Sequence, residues 1–261
     1  MKTIKILMLL SVFAVLIASA VLIGQAKPAV AFGVGTSPQL GASALISSTE
    51  EVNQKEQLSK EIQELFLTKE RELLKPGWLH IVYKTSLRKD VDRGFLTDGV
   101  PFPSEYVIED WYLLDEELYA VKAVTFMRDL EGNVLQESYF FDGVWTNTSL
   151  NDSIVTGKFQ PSIDGGYAAM VIASDTTLEK IDGFEAGFTV YEIKTAAMDG
   201  VFKDIVTRLY FDENGNLVKS AVVLINKDGT EVVDYETEFL STENLNEPSE
   251  DVVKYLDEVL K

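Results

Sequence analysis

Residues Leu209–Leu256 read LYFDENGNLVKSAVVLINKDGTEVVDYETEFLSTENLNEPSEDVVKYL, a series of β-rich runs cut by glycine turns and closed by a short helical pattern. In Asp212-Glu213-Asn214-Gly215-Asn216 and in Asn226-Lys227-Asp228-Gly229 the glycine supplies the positive φ that a tight hairpin requires. Asp129-Leu130-Glu131-Gly132-Asn133 repeats that chemistry upstream. Sequential hairpins build an antiparallel meander.

Working outward, period-two runs predict strands at Trp78–Leu87, Glu105–Leu114, Leu118–Met127, Val134–Phe141, Tyr167–Ser174, Phe184–Lys194, Val201–Phe211, Leu217–Asn226 and Thr230–Leu240. The polar stretch Thr146–Ile163 reads as a long loop. Before the strands, Thr49 reads as a helix cap with Glu50 and Glu51 in the first turn. Leu58, Ile62, Leu65, Phe66 and Leu73 then recur at helical spacing until Pro76-Gly77 stops the run. This is an amphipathic helix of about six turns. After the strands, Pro248-Ser249-Glu250-Asp251 opens a short helix over Glu250–Leu260, with Val252, Val253, Leu256 and Leu260 on one side.

The strands are apolar on both sides. Trp111 and Leu113 oppose Tyr106, Ile108, Tyr112 and Leu114, while Phe140 opposes Tyr139 and Phe141. An antiparallel sheet covered on one side alone has a plainly polar outer face. A helix accounts for one apolar face; curvature, loops or a ligand must bury the second. The fold class expected is α+β: a strongly curved antiparallel sheet, an incomplete barrel, with the N-terminal helix packed on it and a short C-terminal helix. Trp78, Trp111, Phe126, Tyr139, Phe140 and Trp145 are the candidate lining of an apolar ligand pocket. Most of them read rather as ordinary sheet core.

A long helix, an antiparallel meander and a short closing helix behind an export signal resemble the outer-membrane lipoprotein carrier (LolA-like, RseB-like) superfold. Leu209–Leu256 carries most of that resemblance, with Trp78-Leu79-His80 after Pro76-Gly77 as a lesser one. The resemblance implies an incomplete barrel that holds acyl chains or a lipidated peptide, and it brings no catalytic residues. The chain departs from members that carry a lipidation cysteine, since it has no cysteine.

The export signal is residues 1–31: Lys2 and Lys5, an uncharged run from Ile6 to Ile23, then Pro28 before Ala29-Val30-Ala31. The run lies between the length of a cleaved signal core and that of a membrane span. Cleavage after Ala31 and retention as an anchor therefore both stand, and residues 6–23 would be the membrane contact if retained. Phe32–Ser48, rich in Gly, Ser and Ala, reads as a flexible leader, and 49–261 as one domain. Either way the domain is expected outside the cytoplasm, periplasmic or extracellular.

The whole chain has 23 basic and 42 acidic residues, a formal charge of -19. Loss of Lys2, Lys5 and Lys27 with the signal takes the charge to about -22. Such a surface repels phosphate backbones, so nucleic acid is excluded as a partner. Without disulfides, stability must come from the core.

Sites for chemistry are sparse. His80 is the single histidine and reads as structural, since no Gly-x-Ser-x-Gly elbow accompanies it. Asp212-x-Asn214-x-Asn216 starts like a calcium loop, but Leu217 and Val223 stand where glycine and glutamate are needed. Glu105, Glu109 and Asp110 are candidate paired carboxylates for glycoside hydrolysis. Asn147-Thr148-Ser149 and Asn151-Asp152-Ser153 fit the glycosylation pattern, relevant in a eukaryotic source alone. No cofactor and no metal site is expected. The reading is a non-enzymatic exported protein that holds a lipid, acyl chain or lipidated peptide. The alternatives are an envelope protein–protein interaction module without a cavity and a secreted carbohydrate-active enzyme.

Overall fold

The computed structural model describes residues 42–96, 99–148, 152–163, 166–173, 176–197 and 200–261, with residues 42–53 and Ala169 described in the backbone alone. The expected signal and the first part of the expected leader lie outside these residues, as do Ser149 and Asn151 of the two glycosylation patterns. No helix among the described residues is long and apolar enough to cross a membrane.

The chain forms one sheet of eleven strands with every neighbouring pair antiparallel. In chain order the elements are helix α1 (Ala42–Leu73), β1 (Gly77–Leu87), β2 (Glu105–Leu114), β3 (Ala120–Arg128), β4 (Val134–Phe141), β5 (Val144–Asn147), β6 (Asp152–Val155), helix α2 (Tyr167–Ile172), β7 (Thr176–Ile181), β8 (Thr189–Ala196), β9 (Asp204–Phe211), β10 (Leu217–Ile225), β11 (Glu231–Leu245) and helix α3 (Glu250–Val259). The spatial order is β6-β5-β4-β3-β2-β1-β11-β10-β9-β8-β7, so β6 and β7 are free edges and the curved sheet does not close. Two meanders are joined at the centre by β1 and β11, the first strand and the last.

α1 crosses one face, here the front. Its buried stripe of Leu58, Ile62 and Phe66 packs on Leu178, Tyr191, Ile193, Leu209 and Phe211, and Val171 of α2 joins the same core. Polar contacts fix the helix beside this stripe. Lys55 Nζ donates to the carbonyls of Ala173 and Thr176 at 2.9 and 2.6 Å. Glu61 accepts from Lys180 Nζ at 2.7 Å and from the Tyr191 hydroxyl at 2.6 Å. Where β1 to β5 continue the front face, Leu79, Ile81, Leu114, Ala123 and Phe140 form a second core, closed by Phe159 with Ile163 at its margin. The back face is covered at one end by α3, whose Val252, Tyr255 and Leu256 lie on Trp78, Trp111, Val124 and Phe126. At its other end Val190, Val206, Tyr210, Ala221 and Val223 form a smaller core. The back face also carries ion pairs: Lys84–Glu105 and Lys219–Glu236 lie partly exposed on the sheet, and Arg208–Glu192 is buried beside the smaller core.

Five expectations are corrected. α1 begins by Ala42, so residues 42–48 are helical rather than leader, and Thr49, Glu50 and Glu51 lie inside the helix instead of capping it. Tyr167–Ile172 is a helix: Ala168, Ala169 and Met170 are good helix formers, and Gly166 starts the turn at φ 82°. The expected loop Thr146–Ile163 is more than a loop. β5 and β6 pair through Val144↔Val155 and Trp145↔Ile154, and Phe159 returns to the core. β8 starts at Thr189, after a turn through Gly183 at φ 70° and Gly187 at φ 89° that folds Phe188 onto the back-face core. The strand Thr176–Ile181 is the further addition; its alternating burial of Thr176 and Leu178 is too short to stand out in the sequence.

Candidate functional site

Strand alternation divides the six candidate aromatics between the two faces. Trp78, Trp111, Phe126 and Tyr139 project to the back and contact α3 or its margin. Phe140 and Trp145 project to the front and stack around Phe159, with ring centroids 4.8 Å and 5.9 Å from it. They do not line one hollow. Trp78, Trp111, Phe126 and Phe140 are 8%, 3%, 3% and 2% exposed, and the cover comes from the chain's own helix and loop. The six candidates are thus divided between two separate cores.

The back-face floor is one of the two aromatic clusters to which the six candidates belong. Trp78 and Trp111 meet edge to face with centroids 6.5 Å apart, and Tyr255 of α3 packs against Phe126 at 5.5 Å and Tyr139 at 6.3 Å. His80 stacks on Trp111 with centroids 3.8 Å apart. Register explains this layer: Trp78 faces Leu113 and Leu245, and His80 faces Trp111, all on alternate positions of β1, β2 and β11.

A charged hub borders the floor. The Glu109 carboxylate accepts from Trp111 Nε1 at 2.9 Å and Arg128 Nε at 2.8 Å, and His80 Nε2 approaches it at 3.3 Å. These donors, His80 first, hold the Glu109 carboxyl down to about 2 against the opposing effect of burial. Arg128 lies over the Phe126 ring at 4.8 Å and reaches Asp251 in the first turn of α3 at 3.9 Å. Glu109, a candidate acid by sequence, thus fixes the indole, the imidazole and the guanidinium that frame the floor. Glu105 is tied to Lys84 at 3.2 Å, and Asp110 points to the front, so Glu109 and Asp110 do not face each other. Among the described residues no group of three or more acidic or histidine side chains has the arrangement to hold a metal ion.

Clefts on the described surface include the following two. One, about 270 Å³, lies at the β7–β10 end of the back face among Glu192, Lys194, Lys203, Asp204 and Glu231. The other, about 670 Å³, runs along the solvent side of α3 past Glu250, Val253, Lys254 and Asp257. None of the six aromatics lines either one.

These features define an α+β protein with an open, curved, wholly antiparallel sheet, covered by helices on opposite faces. No protein-family model and no curated protein matches the chain. Among solved structures it is similar to an uncharacterised conserved protein from Thermus thermophilus, with 10% identity and a TM-score of 0.38 over 75% of this chain and 91% of that one. It also has a weak resemblance to a candidate outer membrane lipoprotein-sorting protein domain from Vibrio parahaemolyticus, with 11% identity and a TM-score of 0.29 over 77% of this chain and 99% of that one.

Proposed function

We propose that the chain is an exported, non-catalytic binding protein of the cell envelope, and that the back-face aromatic floor receives an acyl chain, a lipid or a lipidated peptide in exchange for α3. The observation that carries this reading is the closure of the Trp78–Trp111–Phe126–Tyr139 floor by three buried side chains of one ten-residue helix near the end of the sequence. A helix of that length is not stable alone in water, so contacts with the floor hold it. A ligand presenting similar apolar area competes for the same surface at about 25 cal/mol per Å². The filled interior counts against a standing carrier cavity, so the ligand must displace α3 to reach the floor.

Titration with palmitate, with lysophospholipid and with a lipidated peptide, followed by tryptophan fluorescence, tests this reading because Trp78 and Trp111 lie in the floor. The expected result is saturable binding that tightens when residues 246–261 are deleted. The second reading, an interaction module without a ligand site, is favoured by the same filled interior. Absence of binding to the full chain and to the shortened chain, with both folded, would select it.

A further inference from the structure

Asp110 is a buried acid that the proposed function does not use, more deeply buried than Asp204. It sits in the middle of β2 with its side chain on the front face and is 5% exposed. Thr125 of β3, its direct neighbour in register, donates its hydroxyl to Asp110 Oδ1 at 2.5 Å. The hydroxyls of Tyr83 and Tyr112 also hydrogen-bond to it. The front-face groups around it are otherwise neutral: Ile108 on β2, Ala123 and Met127 on β3, Ile81 and Thr85 on β1, Ser138 on β4 and Phe239 on β11, with the Tyr106 phenol farther along. The charged and titratable groups of these strands nearest to it, His80, Lys84, Glu105, Glu109 and Arg128, project from the back.

A carboxylate buried without a cation is costly, and hydroxyls relieve part of that cost as donors. They serve the protonated acid as well, because a hydroxyl both donates and accepts. The cage is therefore satisfied in either state but favours the neutral one. We propose that Asp110 is a proton-operated pin of the sheet: protonated, it ties β1, β2 and β3 together on the front face; ionised, it loosens that junction. Burial pushes its carboxyl up to about 6, opposed by the hydrogen bond from Thr125 and those from the two tyrosines. The same burial raises the Tyr83 and Tyr112 phenols well above their ordinary range, so both stay neutral donors.

The folded state then holds a proton that the unfolded chain releases between about pH 4 and 6, and the pin's stabilisation falls as pH rises through that window. Denaturant unfolding of the full chain from pH 4 to 7.5, with D110N and T125V beside it, tests this. Relative to D110N, the wild-type folding constant is expected to fall about a hundredfold across that range. Carbon NMR of the Asp110 carboxyl should show a midpoint near 6, moved upward in T125V because a donor to the ionised form is lost. Parallel pH profiles for wild type and D110N would overturn the proposal. Should D110N not fold, the wild-type NMR titration decides: a midpoint near the ordinary aspartate value overturns it, and one near 6 sustains it.

Discussion

Glu109 and Asp110 are consecutive residues whose carboxyls are driven in opposite directions by the sheet between them. Glu109 meets three donors on the back face and is held at about 2, whereas burial on the front face raises Asp110 to about 6 against the opposing pull of its hydroxyl donors and of His80. Their signs follow from linkage. Glu109 contributes stability that is present above its unfolded value and lost as pH falls towards 2. Asp110 contributes stability that is lost as pH rises towards 6. Together the two contributions are largest near pH 4 to 5, and acid unfolding of wild type should begin below that range. E109Q is expected to lose about 2–3 kcal/mol at pH 7 and to flatten the acid limb, checked by urea unfolding at pH 3, 5 and 7. Period two in the sequence suffices to place these two acids on opposite faces. The donors around them arise from register across three strands, which no local pattern records.

Among the elements, α1 is held by a match between its stripe and one turn. Gly215, at φ 74°, closes the β9–β10 hairpin beneath the helix, and a Cβ there would stand 3.0 Å from Leu65 Cδ2. G215A therefore strains the turn and presses on the helix; about 1–2 kcal/mol of lost stability is expected by thermal unfolding. Ile62→Ala removes a fully buried side chain between α1 and the sheet and should cost about 2–5 kcal/mol in the same assay. The stripe Leu58, Ile62, Phe66 is legible because it repeats at helical spacing, and the hairpins are legible because glycine follows Asp or Asn. Tyr167–Ile172 defeats a local reading since a six-residue apolar run fits a strand or a helix. What docks it, Val171 in the front core and the Tyr167 hydroxyl on Ser220, is tertiary. The start of α1 is hidden because Thr49-Glu50-Glu51 has the chemistry of a cap while the helix continues through it.

For the whole molecule, the sequence anticipates an α+β fold with a curved, open antiparallel sheet apolar on both faces. It cannot anticipate how that apolar surface is distributed. α1 and α2 cover one half of the front, Phe159 and Ile163 the other, and α3 one end of the back. The six aromatics therefore fall into two separate cores rather than one lining. This division gives a further expectation. Leu256→Ala should weaken α3 and expose the back floor, raising Trp78 and Trp111 fluorescence quenching by iodide. Phe140→Ala, on the opposite face, should cost about 3–5 kcal/mol in unfolding experiments and, with its neighbour Trp145 replaced by Phe so that only Trp78 and Trp111 report, leave that quenching unchanged in the folded protein.

The central seam has a consequence for how the chain reaches this state. β1 pairs with β11 through Trp78↔Leu245 and Leu87↔Tyr235, so the two meanders join through residues from opposite ends of the domain. Closing so long a loop comes late and slowly in folding. A growing chain cannot complete the sheet until β11 has left the ribosome, and until then β1 presents an unpaired strand edge.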